Sequence, residues 1–109
     1  MGFFWRAAAQ KSVEALPGIQ RRLLSVGERS MAVRFELGKG SAIPAHSHPH
    51  DQIGFVASGK LEFTVGGETT VLQAGDGYSI PPNVPHSVGV LEDSVAVDIF
   101  SPLREDYLS

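Results

Sequence analysis

The sequence predicts an all-β fold, a small antiparallel sandwich or barrel built from short strands. Apolar and polar residues alternate with a period of two in several segments. The clearest of these is Met31–Leu37, where the apolar positions are Met31, Val33, Phe35 and Leu37. The segments are closely spaced and punctuated by glycine and proline, which is typical of antiparallel strands folded around one core.

Length and composition narrow the classes of protein to consider. A chain of 109 residues that is 42% apolar can build one core, so we expect a single domain over residues 1–109. The formal charge of −3 gives no basic face, so neither nucleic acid nor a membrane is an expected partner. The absence of cysteine excludes a disulfide framework and a thiolate nucleophile.

The first eleven residues are predicted to form an N-terminal arm, with a short helical turn at residues 7–11. Phe3, Phe4 and Trp5 are large apolar residues at a position where side chains normally contact water. They either cover an open end of the core or pack on a second subunit. The apolar opening is too short for a signal peptide or a membrane span, so a cytoplasmic protein is expected.

The strands follow in order along the chain. They are predicted at Ile19–Val26, at Met31–Leu37, in an extended segment that reaches His46, and at residues 53–57, Lys60–Val65, 68–72, 87–90 and 94–100. Gly66 and Gly67 make a tight hairpin turn within this set. Residues 101–109 are polar and interrupted by proline, so we expect a tail rather than another strand.

Residues 40–59 organise the rest of the chain. Strand side chains alternate between faces, so His46 and His48 point to the same side and form half a metal site. His86, in a second stretch rich in glycine and proline, is expected to complete it. His50 shares the parity of the first two histidines, but Pro49 intervenes, and we interpret His50 as a rim residue.

Together the two stretches resemble the two motifs of the cupin superfamily. The first motif is matched at Gly40, His46, His48 and Gly59, with Gln52 where most members carry Glu. The second is matched at Gly75, Pro81 and His86, with Asn83 and Val90 in place of a glycine and an asparagine. The resemblance implies the cupin double-stranded β-helix, or jelly roll, and a homodimer, because cupins commonly pair through edge strands and arms.

The resemblance also implies one divalent transition metal ion per chain. The implied ligands are His46, His48, Gln52 and His86. Neutral nitrogen and amide oxygen ligands suit Zn, Ni, Mn, Fe or Co. A glutamine leaves the full charge of the ion uncompensated, which favours an anionic substrate over oxygenase chemistry.

The last strand and the tail add a second set of candidates. Asp98 lies in an otherwise apolar strand, where burial of a carboxylate is costly without a purpose. It is predicted to face the barrel interior with Phe100 near the metal, or else to pair with an arginine or to have a hydrogen-bonded structural role. Arg104 could fold over the barrel mouth and offer its planar fork to a carboxylate, or lie in a solvated tail.

From Pro44 onwards the chain resembles the small KdgF-type cupins of pectin and alginate breakdown. These proteins convert 4,5-unsaturated uronates into linear 4-deoxy-5-keto uronate, and they carry Gln at the acidic ligand position. The resemblance implies a small anionic sugar substrate, with Asp98 as general acid/base, Arg104 on the carboxylate and Phe100 against the sugar ring. Two alternatives remain open, a metal-dependent cupin dioxygenase and a non-catalytic cupin that binds sugars or carboxylates.

Overall fold

The structure is a computed structural model that describes residues 2–108. Met1 and Ser109, the outermost residues of the predicted arm and tail, lie outside the described residues. Two short 3-10 helices, Ala7–Ala9 and Glu105–Tyr107, flank the strands. The described strands are β1 (Val13–Leu16), β2 (Ile19–Val26), β3 (Met31–Leu37), β4 (Ala42–His46), β5 (Asp51–Ser58), β6 (Lys60–Val65), β7 (Glu68–Gln73), β8 (Gly77–Ile80), β9 (His86–Val90) and β10 (Ser94–Ser101).

The strands form two antiparallel sheets. The larger sheet has the order β1-β2-β3-β10-β5-β8, and the smaller has the order β4-β9-β6-β7. Within residues 2–108 no ladder of hydrogen bonds joins the edges of the two sheets, so the predicted barrel is an open jelly roll. The predicted antiparallel all-β fold is confirmed. It differs from the prediction only in that the two sheets do not close into a barrel.

The strand positions agree closely with the prediction, apart from two short strands that it missed. β1 pairs with β2 around a turn at Pro17 and Gly18. β8 lies within the second motif and pairs with β5. Each has only four residues, too few for an alternating pattern to be recognised. The helical turn predicted at residues 7–11 is a single 3-10 turn over Ala7–Ala9.

The core lies between the sheets and receives alternate side chains from both. Met31, Val33, Phe35 and Leu37 of β3 are all buried, as the period-two pattern predicts. From the smaller sheet, β6 and β9 supply further apolar residues to the same cluster. The polar side chains of the site are therefore held in a largely apolar interior.

Strand register brings distant parts of the chain together. β10 is central, and it pairs Asp98 with Gly54 and Phe100 with Gln52 of β5. β5 in turn pairs Gly54 with Tyr78 of β8. Asp98, Gly54 and Tyr78 thus form one row across three strands of the larger sheet. In the smaller sheet, β4 and β9 place His46 opposite His86.

Two phenylalanines of the N-terminal arm project into solvent. Phe3 and Phe4 are 91% and 87% exposed, and Trp5 is 41% exposed. Phe3 and Phe4 therefore do not cover an end of the core in the single chain, and for these two residues the first alternative is wrong. Their contact with a second subunit stays a prediction. Over residues 2–108 no helix has the length and apolar character to cross a membrane.

Candidate active site

A cavity of about 430 Å³ lies between the two sheets. This volume falls within the range of roughly 300–1,000 Å³ that is usual for small-molecule sites. The side chains that line it include apolar residues of both sheets and a set of polar residues: Arg21, His46, Gln52, Tyr78, His86, Asp98, Arg104, Asp106 and Tyr107. One cavity therefore contains most of the residues that the sequence singled out.

Three histidines form a compact cluster, and two of them, His46 and His86, line this cavity. A ligand nitrogen of His46, of His48 and of His86 lies within 4.8 Å of the others. His46 ends β4 and His86 begins β9, so the pairing of these strands brings the two rings to 4.2 Å between centroids. His48, in the loop after β4, lies 4.9 Å from the His86 ring. The three nitrogens could hold a metal ion.

The backbone fixes the tautomer of each ring. The Nδ1 atoms of His46, His48 and His86 lie 2.9, 3.1 and 2.9 Å from the carbonyl oxygens of Pro44, His50 and Val84. A carbonyl oxygen can only accept a hydrogen bond, so each Nδ1 carries the proton and each Nε2 keeps a free lone pair. Second-sphere carbonyls of this kind orient histidine ligands in metal sites.

Gln52 adds an oxygen to the cluster. Its Oε1 lies 2.9 Å from Nε2 of His48, and both side chains are buried. Burial and the charge of Arg104 lower the pKa of His48, which disfavours a doubly protonated ring that could donate to both of its acceptors. In the neutral ring with the proton on Nδ1, the Nε2 lone pair of His48 faces the Gln52 oxygen, an arrangement that a shared cation would stabilise. The donor set of three imidazole nitrogens and one amide oxygen therefore fits a divalent transition metal.

Asp98 lies beside this cluster and is buried. The Tyr78 hydroxyl donates a hydrogen bond of 2.6 Å to its Oδ1. Burial raises the pKa of Asp98 to about 6, although the Tyr78 hydrogen bond and the Gln52 amide oppose the rise. Burial also raises the pKa of Tyr78, so the phenol stays protonated and remains a donor. The alternative of an arginine partner for Asp98 is not what the structure shows.

Gly54 makes room for the pair formed by Asp98 and Tyr78. A Cβ at this position would lie 2.6 Å from the Val97 carbonyl oxygen and 2.7 Å from the Tyr78 ring, and it would also collide with Oδ1 of Asp98. No side chain fits here without a shift of the backbone. The glycine is required because the Tyr78 hydroxyl must cross over β5 to reach β10.

Gln52 connects the histidine cluster to Asp98. Its Oε1 faces His48, and its amide also favours the charged form of Asp98. An amide can accept at one atom and donate at the other, whereas a glutamate would place a second buried carboxylate next to Asp98. This gives a structural reason for glutamine at the position where most cupins carry glutamate.

Phe100 separates the histidine cluster from a second cluster in the tail. Its ring packs edge-on against His48 at 5.8 Å and against Tyr107 at 5.7 Å. The guanidinium of Arg104 lies 5.2 Å from the Phe100 ring and 4.4 Å from the Tyr107 ring. Arg21 of β2 lies 4.3 Å from the same Tyr107 ring. The tail thus contributes a cationic, aromatic wall to the cavity.

His50 does not belong to the histidine cluster, although its ring packs edge-on against the His48 ring at 5.4 Å between centroids. It lines a separate surface depression, with Glu28, Arg29 and the start of the tail. Its carbonyl oxygen accepts the hydrogen bond from His48, whereas its own ring does not belong to the cluster. The placement agrees with the interpretation of His50 as a rim residue.

Sequence reasoning missed several residues of this cavity. Tyr78 lies inside the second motif, but nothing in the sequence reveals that its hydroxyl reaches Asp98. Gly54 reads as an ordinary interruption of a strand, and only the register shows why it is required. Arg21 and Tyr107 belong to segments far apart in sequence, and no local pattern predicts their contact.

The fold and site agree with the result of comparison with known families. Residues 33–101 match the cupin domain family, and this chain belongs to that family. The match spans more than half of the chain, including the three histidines, Gln52, Asp98 and Phe100. The resemblance that the two motifs indicated is thereby confirmed.

Particular relatives narrow the comparison further. The chain is similar to the pectin degradation protein KdgF of Dickeya dadantii strain 3937, with 40% identity over 93 residues and coverage of 84% of each chain. The structure of KdgF from Halomonas sp. is 35% identical, with a TM-score of 0.91 and coverage of 98% of this chain and 99% of that one. An RmlC-like cupin from Shewanella frigidimarina NCIMB 400 is 31% identical, with a TM-score of 0.92 and coverage of 98% and 96%.

Proposed function

We propose that this protein is a metal-dependent enzyme that opens 4,5-unsaturated uronates to linear 4-deoxy-5-keto uronate during pectin or alginate breakdown. The observation that carries this proposal is one cavity in which a histidine cluster, a buried carboxylate and an arginine converge. The similarity to KdgF over 84% of the chain supports it independently.

The reaction requires two proton transfers and no redox step. The substrate is a cyclic hemiacetal in which a double bond between C4 and C5 holds a masked enol. Removal of the proton from the anomeric hydroxyl forms the C1 aldehyde, and the bond between C1 and the ring oxygen breaks. The electron pair of that bond goes to the oxygen on C5. Protonation of the resulting enolate at C4 gives the ketone, so the substrate and product are isomers.

Asp98 is the residue that we assign to proton transfer. Its carboxylate lines the cavity, and Tyr78 occupies only its Oδ1 with a hydrogen bond. As a base, the carboxylate accepts the anomeric proton, and as an acid it returns a proton to the enolate. The Tyr78 hydroxyl holds the carboxylate in one orientation while the proton moves.

The metal would be held by His46, His48, His86 and Gln52. When bound, it supplies a Lewis-acidic positive charge that stabilises negative charge on substrate oxygens. Because none of the four ligands is an anion, the site keeps the full charge of the ion for an anionic substrate. The nature of the ligands is compatible with Zn, Ni, Mn, Fe or Co.

Arg104 and Phe100 are assigned to substrate binding. The Arg104 side chain is only 15% exposed, and its guanidinium lines the cavity. A guanidinium binds a carboxylate through two parallel hydrogen bonds, so we assign it to the uronate group. The buried Phe100 ring lies between the histidine cluster and Arg104, where it can pack against the sugar.

The test is to incubate the purified protein with unsaturated galacturonate released by a pectate lyase. We expect loss of the ultraviolet absorbance of the enol ether at a rate well above the spontaneous one, with the linear keto uronate identified by NMR. Chelation of the metal should lower the rate to the spontaneous one, and addition of metal should restore the enzymatic rate. Oxygen uptake would favour a cupin dioxygenase instead, and binding without turnover would favour a non-catalytic cupin.

We also propose that the protein is a cytoplasmic homodimer. The support is the exposed apolar arm at Phe3 and Phe4, which is unpacked in the single chain. Sedimentation equilibrium of the full chain and of a Phe3→Ser/Phe4→Ser variant tests the assembly. A dimer that persists unchanged in the variant would exclude the arm from the interface.

A further inference from the structure

The Arg104 side chain forms an ion pair with a carboxylate of its own tail. Asp106 accepts hydrogen bonds from Nε at 3.3 Å and from Nη2 at 3.2 Å. We propose that Asp106 is a positioning residue, which fixes one edge of the guanidinium and leaves the other edge free to bind the substrate carboxylate. The inference deepens the proposed function and rests on it for the identity of the carboxylate.

The number of N–H donors on Arg104 is enough for both edges of the guanidinium to bind a carboxylate. Arginine has five N–H donors, and the fork formed by Nε and one terminal nitrogen is distinct from the fork formed by the two terminal nitrogens. Asp106 takes one donor from each of Nε and Nη2. Among residues 2–108 no hydrogen bond to Nη1 is present, so the terminal fork is available to a second carboxylate.

Exposure shows which side of the ion pair faces the solvent. The Asp106 side chain is 61% exposed, whereas the Arg104 side chain is 15% exposed. Arg104 also lies 4.4 Å from the Tyr107 ring and 5.2 Å from the Phe100 ring. The acid therefore lies towards water and the guanidinium lies against the aromatic wall, so the pair orients Arg104 more than it stabilises the fold.

A different role for Asp106 predicts a change of the opposite sign. If its carboxylate occupied the place of the substrate's own carboxylate, its removal would strengthen substrate binding. Simple electrostatics also predicts stronger binding, because a negative charge near an anionic ligand would be lost. Positioning predicts weaker binding in spite of this favourable change in charge. The direction of the change therefore decides between the roles.

The experiment compares Asp106→Ala with Glu105→Ala. Both residues lie in the 3-10 helix Glu105–Tyr107, and both substitutions remove one negative charge, but the Glu105 side chain has no recorded contact with Arg104 among the described residues. We expect Asp106→Ala to raise KM for unsaturated galacturonate about tenfold, the scale of one impaired charge-assisted contact. We expect kcat to change by less than about twofold and Glu105→Ala to match the wild type.

A double variant and a binding measurement complete the test. In an Arg104→Ala background, Asp106→Ala should no longer raise KM, because its partner is already absent and only the favourable loss of negative charge remains. Calorimetry with D-galacturonate should show the same weakening in Asp106→Ala, with D-galactose as the neutral control. An unchanged or lower KM and Kd in Asp106→Ala would overturn the inference. If the wild type lacks turnover but the galacturonate effect remains, only the proposed reaction fails.

Discussion

The histidine cluster and the tail cluster lie on the same cavity but are fixed in different ways. Each of the three histidines is held by a carbonyl two residues away in sequence, and two of them are set opposite each other by strand pairing. Arg104, in contrast, is held by side chains, through Asp106 and the Phe100 and Tyr107 rings. The orientation of the histidine ligands therefore depends on the backbone, whereas the orientation of Arg104 depends on individual side chains.

This difference explains what a substitution in each region should change. Because the backbone orients the histidine ligands, metal binding should survive most changes in the tail. Because Arg104 depends on a few side chains, substrate affinity should respond to single substitutions there. Substitutions in the histidine cluster should therefore change the metal content, and substitutions in the tail cluster should change KM alone.

The largest effect should follow loss of two metal ligands. The double substitution His46→Ala/His48→Ala removes two of the three nitrogens of the cluster, so we expect it to abolish metal binding and ring opening together. Metal analysis by inductively coupled plasma mass spectrometry measures the outcome. His50→Ala is the matched control, because it also removes an imidazole, one that packs against His48 but lies outside the three-nitrogen cluster, and it leaves the carbonyl that orients His48. Full metal retention in the double variant would reject the site.

A smaller effect should follow a change in the tail cluster. Arg104→Lys keeps the charge but loses the planar fork, so we expect KM to rise about tenfold while kcat changes little. Metal content should equal that of the wild type, since no ligand is touched. Steady-state kinetics and metal analysis on one preparation check both statements. A loss of metal in this variant would show that the two regions are not independent.

The smallest effect should come from a substitution of Gln52, which connects the histidine cluster to Asp98. Gln52→Glu should keep or tighten the metal, because a carboxylate is a stronger ligand than an amide oxygen. It should raise KM for the anionic substrate by about threefold, because the site loses one unit of positive charge. Metal affinity and KM measured side by side test the pair of effects. An unchanged KM would show that ligand charge does not govern substrate binding.

Much of the fold could be predicted because its signals are local. Met31–Leu37 has strict alternation, and all four of its predicted interior positions are buried. The two missed strands, β1 and β8, are too short to show a pattern and exist because longer neighbours pair with them. The prediction of a closed barrel was not met, because strand patterns do not reveal whether the edges of two sheets are joined.

The site was predictable to the extent that sequence spacing controls it. The two motifs supply His46, His48 and His86, but His48 lies in the loop after β4, so strand alternation does not explain why it joins the other two. The row of Asp98, Gly54 and Tyr78 could not be predicted, because it depends on the register of three strands far apart in the chain. The contact between Arg104 and Asp106 is only two residues long, yet its direction towards the cavity depends on tertiary packing.

The most direct test of the central claim is the turnover of Asp98→Asn on unsaturated galacturonate. Asparagine keeps the size of the side chain and can still accept the hydrogen bond from Tyr78, but it lacks the basic electron pair. Metal content and melting temperature, measured on the same preparations as kcat, should stay close to those of the wild type. We predict that kcat falls by about 10² to 10⁴, the usual contribution of a positioned acid/base. A variant that is less stable yet fully active would contradict the account and make Asp98 a structural residue.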